Sequence, residues 1–180
     1  MALKAEDSVL VVIDVQGRLA TLMHRKEEFF ENLVKMIRGA QVLGIPILWN
    51  EQLPDKLGST IPEIRDVLAG QAPLIKSTFS CCGSDDFARQ LGSLNRNQVL
   101  LVGMETHVCV YQTARDLLAK GYEVHLVADC VSSRTPENKK IGIDAIKDCG
   151  AGITSLEMAL FEMLHVAEGD EFKRIIEIVK

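Results

Sequence analysis

The chain has 180 residues, of which 47% are hydrophobic and 25% are charged. This length and composition are typical of one globular domain with a single sizeable core, so we treat residues 1–180 as one domain. The formal net charge is −5, and no basic stretch offsets it. A chain of this charge is a poor match for nucleic acid, and we expect no nucleic-acid partner.

The cysteines and the N-terminal residues indicate the compartment. Five cysteines lie at irregular spacings, and the first ten residues lack the apolar region of a signal peptide. An odd number of irregularly spaced cysteines does not indicate a disulfide framework. No apolar run approaches the roughly 18 residues needed to span a bilayer. We therefore expect a cytoplasmic protein that makes no contact with a membrane.

The first half of the chain alternates short apolar runs with helical patterns. Residues 9–13 (VLVVI) predict a fully buried strand that ends at Asp14. Apolar residues then recur at helical spacing over residues 30–40, and Gly44 followed by Pro46 ends that helix.

Two further strands are predicted before residue 80. Residues 45–49 (IPILW) form the second, which ends at Asn50, and residues 73–75 form the third, which ends at Lys76. Residues 51–62 between them are rich in proline, glycine and hydroxyl side chains, so we expect a loop long enough to act as a lid.

Residues 99–122 are the most informative stretch. An apolar run ends at Gly103, a helical pattern follows, and Gly121 stops the helix. Cys109 lies at the junction, near the first turn of the helix. Orphan backbone N–H groups and the helix dipole favour a thiolate there, although a buried apolar cysteine is an equally good interpretation of this stretch by itself.

The remaining sequence completes the alternation. Residues 124–128 predict a strand that ends at Asp129, and Ile153 closes a short last strand. Helical patterns or capping signals mark three more segments: residues 136–149, 158–164 and 172–179.

This order predicts an α/β fold: a three-layer α/β/α arrangement around a central, mostly parallel six-stranded sheet, of the Rossmann-like kind. In such sheets ligands bind beyond the carboxyl ends of the strands, at the topological switch point. Asp14, Lys76 and Cys109 each follow a predicted strand or end it, so we expect all three to open onto one crevice. Each also has an ordinary structural interpretation: a turn cap, a solvated lysine or a packed thiol.

These three residue types suit nucleophilic catalysis. A neighbouring ammonium and a helix N-terminus can lower the pKa of a thiol by roughly one to several units, and Lys76 would supply that charge. Asp14 would receive the thiol proton and later return it to a departing amine. We also expect Trp49, Asn50 and Phe79, with the loop at residues 51–60, to shape a pocket for a small-molecule substrate, although Phe79 fits a core position equally well.

Three segments carry a resemblance to a known family. VVIDVQ, PLIKSTFS and VGMETHVCVYQTARDLLAKGYEV are similar to the signature segments of the isochorismatase-like cysteine hydrolases, over residues 9–164. That family includes nicotinamidases, N-carbamoylsarcosine amidohydrolase and isochorismatase, and the Asn50–Pro54 stretch and VSSR resemble its uncharacterised isochorismatase-domain-containing branch. The resemblance implies Asp14, Lys76 and Cys109 as a catalytic triad. It also implies a cis peptide between Met104 and Glu105, with the amides of Glu105 and Cys109 as the oxyanion hole.

The sequence departs from the metal-dependent members of that family. Nicotinamidases carry an Asp-x-His after the second strand, but residues 50–72 contain no histidine here. None of the four histidines has the spacing of metal ligands, so we expect no metal and no cofactor; they are His24, His107, His125 and His165.

The resemblance implies a hydrolase acting on an amide or carbamoyl-type C–N bond through a covalent thioester. True isochorismatases cleave a vinyl ether and generally lack the nucleophilic cysteine, so Cys109 favours the C–N bond. A vinyl-ether hydrolase and a catalytically idle binding or scaffold protein remain the alternatives. Family members are commonly dimers or larger, and the amphipathic C-terminal helix fits self-association, so we expect a homo-oligomer.

Other motifs are weaker. Cys109 and Arg115 have the spacing of cysteine phosphatases, but the intervening residues are helical and lack glycine. Asp14 begins an aspartyl-phosphate type of motif in which Gln16 replaces the second aspartate. Cys81 and Cys82 are adjacent, and vicinal cysteines form a disulfide only with strain, so we expect them to pack or to line the site.

Overall fold

A computed structural model describes residues 2–180 as helices packed on both faces of one central sheet. All six strands are parallel, in the order β3-β2-β1-β4-β5-β6. The predicted α/β architecture and six-stranded sheet are therefore confirmed. The strands are β1 (Ser8–Ile13), β2 (Ile47–Gln52), β3 (Leu74–Lys76), β4 (Gln98–Met104), β5 (Glu123–Ser132) and β6 (Gly152–Thr154).

Nine α-helices lie in this part of the chain, and none of them is long and apolar enough to cross a bilayer. A π-helical turn, Thr106–Val110, leads directly into the sixth helix, and short 3₁₀ turns occur at Ala5–Asp7, Asp66–Leu68 and Cys81–Gly83. The helices are α1 (Gly17–Ala20), α2 (Lys26–Val42), α3 (Pro54–Leu57), α4 (Pro62–Arg65), α5 (Asp85–Ser93), α6 (Tyr111–Ala119), α7 (Pro136–Asp148), α8 (Leu156–Leu164) and α9 (Gly169–Val179).

The sheet separates two apolar cores. Strand β1 is buried along its whole length, and its side chains alternate between the faces: Leu10 and Val12 pack towards α2, α8 and α9, whereas Val11 and Ile13 pack towards α5, α6 and α7. This burial on both faces explains why the central strands are solidly apolar in sequence.

Helix α9 uses its apolar face within the chain. Ile175 is fully buried, and Ile178 and Val179 pack against the same core as α2. The amphipathic pattern of the C-terminal helix is therefore explained by this intramolecular packing and no longer supports self-association.

Two strands extend further than the sequence predicted. Strand β2 starts at Ile47 and continues past Trp49 to Gln52, and β5 continues past Ala128 to Ser132, with an irregular register beside Gly103. The additional residues in β2 are polar, which is why the sequence pattern assigned them to a loop.

A glycine on α7 allows this helix to approach the turn that precedes α6. A Cβ atom built on Gly142 would lie 2.7 Å from the backbone nitrogen of His107 and 2.7 Å from the carbonyl carbon of Thr106. Both atoms belong to the main chain, so a larger residue at position 142 would force the backbone to move. The position of the π-helical turn therefore depends on a glycine in a separate helix.

Candidate active site

The predicted site residues meet at the switch point of the sheet. Strand β1 pairs with β2 on one side and with β4 on the other, so the connections leave in opposite directions there. Asp14 directly follows β1, Lys76 ends β3, and Cys109 lies in the π-helical turn after β4. Gln52, which the sequence analysis included only as part of the loop at residues 51–60, ends β2 between them.

Lys76 is buried and surrounded by oxygen atoms. Its Nζ lies 2.6 Å from Asp14 Oδ2 and 3.1 Å from Gln52 Oε1, and it donates to the carbonyl oxygens of Thr78 and Phe79 at 3.0 Å each. Its side chain is 0% exposed and that of Asp14 is 6% exposed. An ammonium group has three N–H donors, so these four oxygens occupy all of its hydrogen-bonding capacity. Lys76 therefore fixes the Asp14 carboxylate in place.

The surroundings of Cys109 favour the protonated thiol over the thiolate. Its Sγ donates to Gln52 Oε1 at 3.4 Å and also interacts with the neighbouring Asp14 carboxyl group. Burial, with a smaller contribution from the Asp14 carboxylate, raises the pKa of the Cys109 thiol to about 12, although Lys76 acts in the opposite direction. Lys76 lowers this pKa, as expected, but burial and the nearby carboxylate outweigh it, so the expected net decrease is wrong.

The pKa of Asp14 is also shifted upwards. Burial raises the pKa of this carboxyl group, and the opposing effect of Lys76 offsets only part of that change. A carboxylate with a raised pKa is a stronger base than an exposed one, which suits it to accept a proton.

Cys149 provides a reference for the reactivity of Cys109. Cys149 is an exposed free cysteine, whereas Cys109 is buried. We expect iodoacetamide near pH 6.5 to label Cys109 at least about 10-fold more slowly than Cys149, because the raised pKa leaves little thiolate. Quantitative mass spectrometry of the two alkylated peptides measures this ratio. Faster labelling of Cys109 would contradict the protonated resting state.

Glu105 begins the turn that holds Cys109. The described backbone contains no cis peptide bond, so the implied cis bond between Met104 and Glu105 is wrong. Glu105 instead adopts a left-handed conformation, with φ 57° and ψ 61°, and the π-helical turn follows it. A left-handed residue followed by helical residues turns successive N–H groups towards one point and forms an anion-binding concavity.

The carboxylate of Glu105 is held by two cationic or polar neighbours. Arg134 Nε donates to Glu105 Oε1 at 2.7 Å, and His107 Nδ1 lies 3.3 Å from Oε2. The Glu105 side chain is buried, while that of Arg134 is about half exposed. These contacts fix the orientation of the residue that starts the turn.

A cavity of about 310 Å³ opens beside Cys109. Phe79 lines it, and besides Phe79 and Cys109 the lining comprises four apolar and five polar or charged side chains. The remaining lining residues are Asp14, Gln16, Leu19, Gln52, Leu57, Met104, Glu105, Val108 and Arg134.

Trp49 and Asn50 do not line this cavity. Both are buried within β2, where Trp49 Nε1 donates to Thr60 Oγ1 at 2.8 Å and Asn50 Nδ2 donates to the carbonyl oxygen of Val12 at 3.3 Å. Because β2 extends to Gln52, the carboxyl end of the strand lies beyond both residues. Trp49 and Asn50 therefore do not shape the pocket, contrary to expectation, and instead make hydrogen bonds within the core of the protein.

The segment predicted to act as a lid is hydrogen-bonded to its surroundings and contributes Leu57 to the cavity wall. Gln16 Nε2 donates to the carbonyl oxygens of Gln52 at 3.1 Å and Gly58 at 2.7 Å, and Gln16 Oε1 accepts from the amide of Gln52 at 2.7 Å. The amide of Thr60 donates to Glu51 Oε1 at 2.6 Å. Both ends of the segment that carries Leu57 are thus bonded to the sheet.

The adjacent cysteines, Cys81 and Cys82, lie outside the cavity beside Cys109. Cys81 is fully buried in the core, and Cys82 is half-buried; both are free thiols. Burial raises the pKa of each thiol above its ordinary value. Neither residue lines the cavity beside Cys109. Of the two roles expected from the sequence, packing and lining the site, the structure therefore supports packing.

Within residues 2–180, no group of three or more histidine, cysteine or acidic side chains is arranged to hold a metal ion. The expectation of a site without metal or cofactor stays a prediction.

Comparison with known proteins identifies the family. The model of the isochorismatase domain matches residues 8–158. The chain belongs to the isochorismatase family.

Several members of this family resemble the chain over nearly its full length. The secreted isochorismatase effector Isc1 of Phytophthora sojae is 38% identical over 96% of this chain and 84% of its own length. Isochorismatase domain-containing protein 1 of Salmo salar is 37% identical over 96% of this chain, which spans 61% of that relative.

Solved structures agree on the fold of this isochorismatase-family chain. The MAR1 ribonuclease of Caenorhabditis elegans is 31% identical, has a TM-score of 0.92, and is matched over 99% of this chain and 92% of its own. The YcaC gene product of Escherichia coli, described as an octameric hydrolase of unknown specificity, has a TM-score of 0.93 at 17% identity, over 99% of this chain and 89% of its own. At that identity, YcaC supports the fold alone.

Proposed function

We propose that this isochorismatase-family protein is a cysteine-dependent hydrolase that cleaves a C–N bond in a small amide or carbamoyl compound. The observation that carries this proposal is the meeting of the Cys109 thiol and the Lys76-bound Asp14 carboxylate at the wall of one small cavity. The thiol is the nucleophile, the carboxylate is its base, and the ammonium holds the carboxylate in position.

Asp14 moves the proton in both halves of the reaction. It takes the proton from Cys109 as Sγ attacks the carbonyl carbon of the substrate, and the carbonyl π electrons move onto oxygen. When the tetrahedral intermediate collapses, Asp14 gives that proton to the departing nitrogen, and an amine and a thioester remain. A water molecule then loses a proton to Asp14 and attacks the thioester, which releases the acid and restores the thiol.

The backbone amides of Glu105 and Cys109 are proposed to stabilise the oxyanion. The left-handed conformation of Glu105 supports this role, because it turns successive N–H groups towards one point at the start of the turn. Removing one donor of this kind typically costs about 10²- to 10³-fold in rate.

The cavity restricts the substrate to small molecules. Its volume is at the lower end of the roughly 300–1,000 Å³ of small-molecule pockets. Leu19, Leu57, Phe79, Met104 and Val108 provide apolar wall, while Arg134 supplies a cationic group whose Nε is already bound by Glu105. A small amide with an apolar acyl group fits this lining.

A substrate panel tests the proposal. It contains small amides, carbamoyl compounds, vinyl ethers and short RNAs, the last because the C. elegans relative is described as a ribonuclease. We expect release of ammonia or an amine from an amide or carbamoyl compound, detected by mass spectrometry. Cleavage of RNA without amide turnover would contradict the C–N proposal, as would products from vinyl ethers alone.

A vinyl-ether hydrolase is the second candidate function. The raised pKa of Asp14 would allow this carboxyl group to protonate an enol ether, and Isc1 is named an isochorismatase. In that reaction Cys109 would not form a bond, so alkylation of Cys109 would leave chemistry at the carboxyl group possible. A catalytically idle binding protein would instead bind members of the panel without product.

The expected oligomeric state and cellular location both stay predictions. The homo-oligomer expected from the family resemblance stays a prediction, because YcaC, which is described as octameric, is only 17% identical. A cytoplasmic location stays a prediction as well, since Isc1 is described as secreted.

A further inference from the structure

Gln52 places one side-chain oxygen between the ammonium and the thiol. Its Oε1 accepts from Lys76 Nζ at 3.1 Å and from Cys109 Sγ at 3.4 Å. A lysine ammonium is a donor only, so the oxygen and not the amide nitrogen must face it. Lys76 thereby fixes which way the amide group points, and Cys109 meets an acceptor.

The main chain at this position is held separately. The amide and the carbonyl group of Gln52 both hydrogen-bond to the side chain of Gln16, which is 1% exposed. The end of β2 therefore stays in place whatever side chain residue 52 carries. The effects of a side-chain substitution at position 52 can therefore be assigned to the side chain and not to a shift of the backbone.

An acceptor beside a thiol favours its protonated form, because the same oxygen would repel a thiolate. The charged groups around Cys109 are Asp14 at the end of β1, Lys76 on β3, Glu105 at the start of the turn and Arg134 on the cavity wall. Asp14 and Glu105 also disfavour a thiolate. Lys76 favours one, but Gln52 Oε1 occupies one of its donor directions.

We infer that Gln52 is a positioning residue that keeps Cys109 protonated in the empty site, so that the nucleophile forms only by proton transfer to Asp14. This inference rests on the proposed function for its reference to a nucleophile. Its physical content, the protonation of one thiol, is measurable without turnover.

Two substitutions at position 52 should have opposite effects. Gln52→Met removes the acceptor and keeps the length of the side chain, while Lys76 retains three oxygens for its three N–H groups, from Asp14, Thr78 and Phe79. Gln52→Glu places a carboxylate beside the thiol and disfavours the thiolate more strongly.

The readout is the rate of alkylation of Cys109 by iodoacetamide between pH 7 and 10, divided by the rate at Cys149 in the same molecule. Each unit of pKa changes the observed rate about threefold, because a less basic thiolate is also less nucleophilic. We expect Gln52→Met to label Cys109 about threefold or more faster than the wild type at each pH. We expect Gln52→Glu to label it more slowly by a similar factor.

Gln71→Glu is the matched control, because Gln71 is exposed in the turn before β3 and the substitution adds the same charge. It should leave the ratio unchanged, and circular dichroism melts should show that all three variants fold. Equal rates in the wild type and Gln52→Met, or a shift in the same direction in both position-52 variants, would overturn the inference. If no panel compound is hydrolysed but the rates still move in opposite directions, the hydrolase proposal fails and the role of Gln52 stands.

Discussion

Cys109→Ala is expected to lower hydrolysis of any amide substrate by roughly 10⁴-fold or more, to the level of the uncatalysed reaction aided by binding alone. The substitution removes the sulfur that is proposed to form the thioester, and no other thiol lines the cavity among the described residues. The fold should survive, because Cys109 ends at the cavity and its removal enlarges an existing space. Steady-state kinetics and a thermal melt measure the two effects.

Cys149→Ala is the control for this experiment. Cys149 is an exposed free thiol outside the site, so its removal should leave turnover and melting temperature unchanged. Intact mass spectrometry of the wild-type protein quenched with acid during turnover adds a second test, since an acyl adduct that is absent from Cys109→Ala would identify the nucleophile directly. Retained turnover in Cys109→Ala would assign the reaction to another group, and Asp14 as an acid on a vinyl ether would become the leading candidate.

Lys76→Met should destabilise the protein by about 3–5 kcal/mol, the range found when one partner of a buried ion pair is removed. The Asp14 carboxylate would lose its 2.6 Å partner, and the carbonyl oxygens of Thr78 and Phe79 would lose their shared donor. Urea unfolding, with the midpoint and the slope fitted together, measures the loss.

The loss should depend on pH. Without Lys76, burial raises the pKa of Asp14 further above its value in the unfolded chain, so the folded state binds a proton more readily than the unfolded state. Stability from such a group is present at low pH and decreases as the pH rises through the folded pKa. We therefore expect Lys76→Met to be less destabilised at pH 5 than at pH 8.

Two companion variants separate this effect from general disruption. Lys76→Met combined with Asp14→Asn removes the unpaired charge, so it should recover part of the stability and lose the pH dependence. Lys140→Met breaks an exposed ion pair with Asp144 and should cost less than about 1 kcal/mol. A loss in Lys76→Met as small as that in Lys140→Met would show that the buried pair contributes little.

The central strands and the catalytic candidates could be predicted because strands that are buried on both faces have recognisable apolar sequences. Strands β1 and β4 are covered on both faces, so residues 9–13 and 99–102 are apolar runs. Asp14 directly follows the first run, and Cys109 lies in the turn after β4. The rule that ligands bind at the carboxyl ends of parallel strands then brings them together without knowledge of the loops.

The end of β2 could not be predicted in this way. Glu51 and Gln52 are polar but lie in a strand, because they pair with Ile75 and Lys76 of β3. These partners are distant in sequence or carry no local signal. The sequence motif that contains Gln16 did not indicate its hydrogen bond to the carbonyl oxygen of Gly58. The motif that contains Arg134 did not indicate its ion pair with Glu105.

The pKa of Cys109 was predicted in the wrong direction for a related reason. The helix N-terminus and Lys76 can be recognised from sequence, whereas the depth of the thiol and the orientation of the Gln52 amide depend on packing. The effect of burial exceeds that of the Lys76 ammonium, whose donors are all hydrogen-bonded to other groups, and only the folded structure shows that balance.

The contact between Gly142 and the π-helical turn has a practical meaning for redesign. The sulfur of Cys109 is carried by a backbone that rests on a helix outside the cavity, where Gly142 leaves no space for even a methyl group against His107. Libraries that vary only the cavity wall keep this support intact, whereas a larger residue at position 142 would displace Cys109 without altering any residue that lines the cavity.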